Sequence, residues 1–259
     1  MRLAFAMPTF NRAELLKDRI PDYVAHMDDD MELHVRDNGS TDDTWNVLQS
    51  MPHDRVNLWR DSVGTHVKVG FLRVLWNAAQ DSDYVILMSD EDIPDWNIVP
   101  DFTAWLNLHK PVFASTRFDH SEGFHRGRTG GDIPVTEFFR ASFYCSGLVY
   151  RSAELLESID VIWPRLDHND FLKIYAESGC VLTTYDKPGA KMWAPHFLCK
   201  QVDQVGTDIV MDDGTRYWKP ENRKKLFTSY QALCDELHEK THRDIYRQAK
   251  NETLIRSWG

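Results

Sequence analysis

The segment Tyr84-Val85-Ile86-Leu87-Met88-Ser89-Asp90-Glu91-Asp92-Ile93-Pro94 decides the fold of this 259-residue chain. Its first five residues are apolar without a break, the pattern of a central parallel strand covered on both faces. The run then stops in acids, a concentration of negative charge that no fold requires. Toward the N-terminus the same theme appears three more times. Leu3-Ala4-Phe5-Ala6-Met7, Met31-Glu32-Leu33-His34-Val35 and Val56-Asn57-Leu58-Trp59 are short, largely apolar runs. Each is followed by a polar turn and a helical stretch: Leu15, Leu16, Ile20 and Tyr23 after the first, Trp45 and Leu48 after the second, Val67, Phe71, Val74, Leu75 and Ala78 after the third. Ser40 followed by Asp43 reads as a capping box for the second helix. This alternation predicts a mainly parallel α/β sheet with helices on both faces. Ligands of such sheets bind beyond the carboxyl ends of the strands, where the strand order reverses. Thr9, Asn11 and Arg12, then Asp37 and Asn38, then Asp90, Glu91 and Asp92 each follow a predicted strand, so the fold would gather them on one rim.

Beyond Pro94 the pattern loosens. A helix around Phe102, Trp105 and Leu106 leads to a strand at Val112-Phe113-Ala114. Residues 117–134, with His120, His125, Arg126 and Arg128, read as a long loop, either a binding element or a surface excursion. Phe143 to Tyr150 and Val181 to Tyr185 read as strands, with a helix from about Asp170 to Ser178 between them. From about Arg216, Leu226, Tyr230, Leu233 and Leu237 recur at helical spacing, and a second helix follows through Ile245 and Ala249. The expected division is a main domain over 1–215, in two halves at 1–94 and 95–215, and a C-terminal helical extension over 216–259. The extension's apolar stripe could dock on a membrane or on a second copy in a homodimer, or pack on its own domain, the simpler arrangement.

A composition of 42% hydrophobic and 27% charged residues is that of a globular chain with a real core. The net charge of −10 argues against nucleic acid as a partner. It leaves room for a phosphate-bearing small ligand, because a bound metal inverts the local sign of a site. Cys145, Cys180, Cys199 and Cys234 form no C-x-x-C pair, and read as free thiols of a reducing compartment. No apolar run reaches the ~18 residues that cross a bilayer. Met1 to Pro8 fits a buried strand better than a signal peptide. The expected location is cytoplasmic, or peripheral at the inner face of a membrane.

Asp90-Glu91-Asp92 carries the clearest chemistry. Mg2+ and Mn2+ prefer oxygen ligands and commonly bind through one or two carboxylates plus substrate phosphates. Asp37, at the end of the second strand, can accept from a base N–H or a ribose hydroxyl, and Gly39 permits the turn that follows. By contrast Asp28-Asp29-Asp30 precedes a strand and reads as a solvated turn.

Met7-Pro8-Thr9-Phe10-Asn11-Arg12, Val35-Arg36-Asp37-Asn38-Gly39-Ser40-Thr41-Asp42 and Leu87-Met88-Ser89-Asp90-Glu91-Asp92-Ile93-Pro94 occur in an order and spacing that resemble family 2 glycosyltransferases of the GT-A fold. The likeness is specific through residue 94 and looser over 140–195. It implies a Rossmann-like sheet, with nucleotide binding in 1–94 and acceptor binding in 95–215. It further implies metal-dependent, inverting transfer of a sugar from a nucleotide-sugar donor, UDP-linked by preference. The acceptor would be the hydroxyl of a glycan or lipid-linked molecule, in polysaccharide, lipopolysaccharide or related synthesis.

Carried over residue by residue, Thr9 and Asp37 would contact the base, with Asn11 and Asn38 in the same nucleotide-sugar pocket and Arg12 near the base or phosphates. Asp90 would face the ribose and Asp92 would ligate Mn2+ or Mg2+. The family's Ala-Arg-Asn segment corresponds to Arg73-Val74-Leu75-Trp76-Asn77 here, a departure that leaves Arg73 a donor candidate on a partial match. An inverting mechanism needs a carboxylate to take the acceptor's proton. The family's base lies in a Glu-Asp pair before a helix ending Ala-Glu-x-Gly. Counting back from Gly179 sets Asp167 and His168 over that pair, so Asp167 is the first candidate and Asp170 the second, though Asp170 could equally cap the helix. His196 falls where some members supply a histidine to the metal; a lone histidine can as well be packed or solvated.

Three other readings compete. A phosphohydrolase would place its aspartate after the first strand, where Pro8-Thr9 stands. A sugar nucleotidyltransferase would want a Gly-rich loop there, and Pro8 to Arg12 contains no glycine. A non-catalytic nucleotide-sugar binder would share the pocket but not turnover.

Overall fold

All four N-terminal apolar runs are strands: β1 (Leu3–Thr9), β2 (Met31–Asp37), β3 (Val56–Arg60) and β4 (Tyr84–Leu87), joined by α1 (Ala13–His26), α2 (Thr44–Gln49) and α3 (Val67–Ala79). The computed structural model describes residues 1–51, 54–63, 67–119, 125–126, 130–196, 198–201, 216, 219–252 and 255. After β4 come β5 (Asp92–Pro94), α4 (Val99–His109), β6 (Phe113–Ser115), β7 (Phe118–Asp119), β8 (His125–Arg126) and α5 (Phe138–Ser142). Then follow β9 (Leu148–Arg151), α6 (Ser152–Ile162), α7 (Asp170–Thr184), β10 (Lys191–Trp193), β11 (Cys199–Gln201), α8 (Pro220–Thr241) and α9 (Asp244–Ala249).

Seven strands form one sheet in the order β10-β6-β9-β4-β1-β2-β3. β3, β2, β1 and β4 are mutually parallel, while β9 runs antiparallel between β4 and β6. From β1 the chain steps outward through β2 and β3, then crosses back to lay β4 on the other side of β1. That reversal opens a crevice beyond Thr9, Asp37 and Leu87, the place where such sheets bind ligands.

Strand alternation divides the core into two layers. Leu3, Phe5 and Met7 pack with Ile20, Tyr23, Leu33, Val35 and Phe102. Ala4 and Ala6 point the other way, and their small side chains let Leu72 and Leu75 of α3 lie close, together with Phe138 and Leu172.

Four local expectations are corrected. Val181 to Tyr185 is no strand: α7 continues to Thr184, kinked at Tyr175 (φ −129°, ψ 49°). The stretch is buried all round, and a short apolar run does not by itself separate a buried helix from a buried strand. Phe143 to Tyr150 contributes only Leu148–Arg151 to the sheet, after a turn at Gly147 with φ +76°. Residues 117–134 include the short β7–β8 hairpin; His120 and Arg128 lie outside the described residues. Ser40 does not cap α2, because its hydroxyl accepts from the Asn11 N–H and the helix starts at Thr44.

The C-terminal helices lie on their own domain. Leu226, Tyr230, Leu233, Leu237, Tyr246 and Ala249 are buried in the same core as Phe138, Phe171 and Leu172. The stripe considered for a membrane or a second subunit is therefore covered within the chain. Among the described residues no helix is long and apolar enough to cross a membrane.

Candidate functional site

β1 and β2 end side by side, with Thr9 in register with Asp37. The Thr9 hydroxyl donates to Asp90 Oδ2 at 2.6 Å, tying the end of β1 to the residues beyond β4. Asn11 takes up a left-handed backbone, φ 53°, which asparagine tolerates better than most residues. Its Oδ1 accepts from the Thr41 N–H at 2.9 Å, locking the β1 turn to the β2 turn. Arg12 reaches across both: Nη2 donates to Glu91 Oε1 at 3.1 Å, and Nε lies 3.9 Å from Asp90 Oδ1. The three clusters thus share one rim.

Asp37 is fully buried. It accepts the Ser40 N–H on Oδ1 at 2.8 Å, and the Arg60 Nε lies 3.2 Å from Oδ2. Arg60 also donates to the Ser40 carbonyl at 3.1 Å and sits over the Trp45 ring. Gly39 holds φ +79°, and a β-carbon there would meet the Ser62 carbonyl oxygen at 2.4 Å. Asn38 donates its backbone N–H to the Thr9 carbonyl, while its side chain lies directly on Gly70 of α3.

The acidic residues divide by environment. Burial pushes the Asp90 carboxyl up to about 6, with the Thr9 hydrogen bond and Arg12 opposing the rise and Glu91 adding to it. Glu91 is half-buried against Arg12. Asp92, 0% exposed, turns inward, where Ser146 Oγ donates to its Oδ2 at 2.5 Å and Tyr144 also bonds to it. Ser146 in turn accepts the Ser89 N–H at 2.8 Å, so this hydroxyl joins the ends of β4 and β5. Burial first, then the neighbouring Cys145 and Asp92, hold the Tyr144 phenol protonated far above its ordinary range.

The remaining candidates are held by other elements. Arg73 bonds Asp61 at 2.5 Å and sits over Trp163, and the Asp61 N–H in turn donates to the Asp37 carbonyl at 2.8 Å. Asp167 is exposed on the turn before α7. Asp170 pairs with Lys225 of α8 at 3.3 Å and with Lys173 at 3.8 Å, and the α7 cap is Asn169, whose side chain accepts the Leu172 N–H. His196 packs edge-on against Phe102 and Trp105, and burial lowers its pKa. Among the described residues no three His, Cys, Asp or Glu side chains stand close enough together to hold a metal ion.

Sequence reasoning passed over Arg60, Gly70, and the pair Lys68–Glu177. Lys68 Nζ donates to both Glu177 oxygens at 2.9 Å, with both side chains buried. The signals were present: a basic residue ending β3, a glycine inside a helix, and a glutamate in an otherwise apolar stretch.

A family model, "Glycosyl transferase family 2", matches residues 4–151. By sequence, no curated protein matches. Among solved structures, S. aureus TarS 1-349 in complex with UDP-GlcNAc superposes with a TM-score of 0.63 at 17% identity, over 97% of this chain and 72% of that one. The mannosyltransferase PcManGT from Pyrobaculum calidifontis, in complex with GDP-Man and Mn2+, gives 0.57 at 15% identity, over 99% and 71%. Glucosyl-3-phosphoglycerate synthase from Mycobacterium tuberculosis, in complex with Mn2+, UDP and glucosyl-3-phosphoglycerate, gives 0.56 at 18%, over 90% and 80%. The chain spans 44% of another, longer TarS chain. A parallel sheet reversing beside β1, a rim of Thr9, Asp37 and Asp90, and a family match over more than half of its length place this chain in glycosyl transferase family 2, with the GT-A fold.

Proposed function

We propose that this family 2 glycosyltransferase takes a nucleotide-sugar donor into the crevice beyond β1, β2 and β4 and transfers its sugar, with inversion, to a hydroxyl of a glycan or lipid-linked acceptor. The observation that carries this reading is the convergence of Thr9, Asp37 and Asp90 on adjoining strand ends, pinned by the 2.6 Å Thr9–Asp90 bond. The solved relatives named above were captured with UDP-GlcNAc, with GDP-Man and Mn2+, or with UDP and Mn2+. Asp37 would meet a ring N–H of the base, uracil by preference. Thr9, Asn11 and Asn38 would shape its pocket, and Asp90 would take the ribose.

The residue types suit a hard divalent cation, but their arrangement does not yet form its site: Asp92 faces Ser146 and Tyr144, so ligation requires its side chain to turn away from that pair. Three consecutive carboxylates offer only oxygen, and burial raises the Asp90 pKa despite the Thr9 hydrogen bond and Arg12. Asp92 would ligate Mn2+ or Mg2+, with Glu91 and the donor's diphosphate completing the shell and His196 a more distant candidate. When bound, the ion supplies positive charge against the departing diphosphate. Arg12, already on the rim, adds a fixed cation that needs no reorganisation. Asp167, exposed ahead of α7, would take the proton of the attacking acceptor hydroxyl, and Asp170 is the second choice because Lys225 already engages it.

The test is a thermal-shift screen of UDP-, GDP-, dTDP- and CDP-linked sugars with and without Mn2+. A selective, metal-dependent rise in Tm names the donor. Asp92→Asn should remove the metal-dependent part of the rise; undiminished metal dependence in that variant would defeat the assignment. Asp167→Asn should retain donor binding and lose transfer, whereas turnover equal to that of the parent would return the role of base to Asp170.

A further inference from the structure

On the opposite face of the sheet from Asp37, between α3 and the turn that follows α6, lies a groove of about 460 Å3. Arg36, Arg73, Trp76, Asn77, Asp160 and Trp163 line it. Arg36 and Asp37 are neighbours on β2, so strand alternation sends their side chains to opposite sides. The groove therefore lies on the face of the sheet opposite the Asp37 side chain.

Its lining is unusual in two respects. Trp76 and Trp163 are 45% and 39% exposed, two large apolar rings presented to solvent in one groove, with the Arg73 guanidinium 5.7 Å from the Trp163 ring centre. The second respect is a set of polar atoms that folding leaves unmatched. Arg36 is only 9% exposed, yet among the described residues its Nε and Nη1 have no hydrogen-bond partner. Its nearest carboxylate oxygen, Asp61 Oδ1, is 3.7 Å away and is held by Arg73 at 2.5 Å. On the acceptor side, the buried Asn77 Oδ1 likewise lacks a donor among the described residues. Leaving buried polar groups unmatched is costly, so a ligand that satisfies them gains affinity there.

The mixture of signs selects the ligand. An inorganic anion would satisfy Arg36 but bring its negative charge against Asp160 and leave the indole faces uncovered. An apolar peptide segment would cover the indoles and leave every polar atom unmet. A hydroxyl both donates and accepts, and a sugar ring also presents C–H faces that lie against aromatic rings. We propose that this groove binds a pyranose ring of a glycan, at a subsite separate from the donor. The inference deepens the proposed function and rests on it for the role of that glycan: an acceptor chain held at one residue while another reaches the crevice. Trp163 opens the short 3-10 turn that precedes Asp167 in the chain.

The full chain labelled with fluorotryptophan tests this by fluorine NMR, the Trp76 and Trp163 signals being identified through Trp76→Phe and Trp163→Phe. The probes are methyl pyranosides of glucose, galactose, mannose and N-acetylglucosamine at millimolar concentrations, with inorganic phosphate as the anion arm. At least one pyranoside should move both signals saturably while phosphate moves neither. Trp76→Ala and Trp163→Ala, both at exposed positions, should each weaken that sugar roughly five- to tenfold, and Asn77→Ala should weaken it too. The inference is overturned if no pyranoside moves either signal, if phosphate alone does, or if the alanine variants bind as the parent does. Donor titration with Mn2+ on the same samples is read separately: a sugar response without donor binding fails the proposed function and keeps the groove, and the reverse fails the groove alone.

Discussion

Replacing Asp90 by Asn should make the protein more stable and less active. Asp90 moves from an ordinary carboxyl near 3.8 to about 6 on folding, chiefly because burial disfavours its charge. The folded pKa is raised, so the folded state holds the proton more tightly than the unfolded state does. Any contribution to stability is then present at low pH and is lost as pH rises from about 4 through 6. At pH 7.5 the charged form costs about 3 kcal/mol relative to an unperturbed carboxyl. Asparagine removes that cost, keeps an oxygen for the Thr9 hydroxyl, and leaves Arg12 with Glu91 as its partner. After allowance for the lost attraction to Arg12, the net gain is about 1–2 kcal/mol, or roughly 2–8 °C in Tm for a chain of this size. The assay is urea or thermal unfolding of both proteins at pH 7.5, 6, 5 and 4, beside donor binding. The variant's advantage should shrink steadily with falling pH and vanish near pH 4, while donor binding is lost. A variant that is less stable than the parent by the same amount at every pH would refute the reasoning.

Breaking the Lys68–Glu177 pair by Lys68→Met should destabilise by about 3–5 kcal/mol, because a buried carboxylate is left without its cation. The double change Lys68→Met with Glu177→Leu should recover most of this in urea unfolding; a double variant as unstable as the single would place the loss in packing. Gly70→Ala would set a β-carbon 1.5 Å from Asn38 Oδ1, so the Asn38 side chain must leave its position. Donor affinity should fall while Tm moves little, checked by calorimetric titration and thermal unfolding together. Ser146→Ala removes the hydroxyl that bonds Asp92 and receives the Ser89 N–H, and should cost about 1–3 kcal/mol in urea unfolding.

The N-terminal half was legible because four apolar runs, each followed by a turn and a helix, admit few arrangements. Given a parallel sheet, the meeting of Thr9, Asp37 and Asp90 follows from where each strand ends. The orientation of the three acids was not legible. Asp92 turns inward because β5 pairs with β11, far along the chain, and because Ser146 arrives from the turn before β9. No local period encodes either event. The same holds for Lys68, whose partner Glu177 arrives on α7, far along the chain. Val181 to Tyr185 misled because a stretch buried on all sides carries no alternation for a helix to betray. Asp167 and Asp170 were placed by counting along a family pattern, and spacing says nothing about Lys225, which reaches Asp170 from α8.

The packing of α8 and α9 bears on how the protein can be handled. Tyr230 stacks on Phe138 and lies 5.2 Å from Phe171, and its hydroxyl bonds the Ala249 carbonyl. Returning Leu226, Tyr230, Leu233 and Leu237 to water would forfeit about 8 kcal/mol at roughly 2 kcal/mol per side chain, within the whole net stability of an ordinary domain. Cutting the gene after residue 215 should therefore yield aggregate rather than a minimal enzyme.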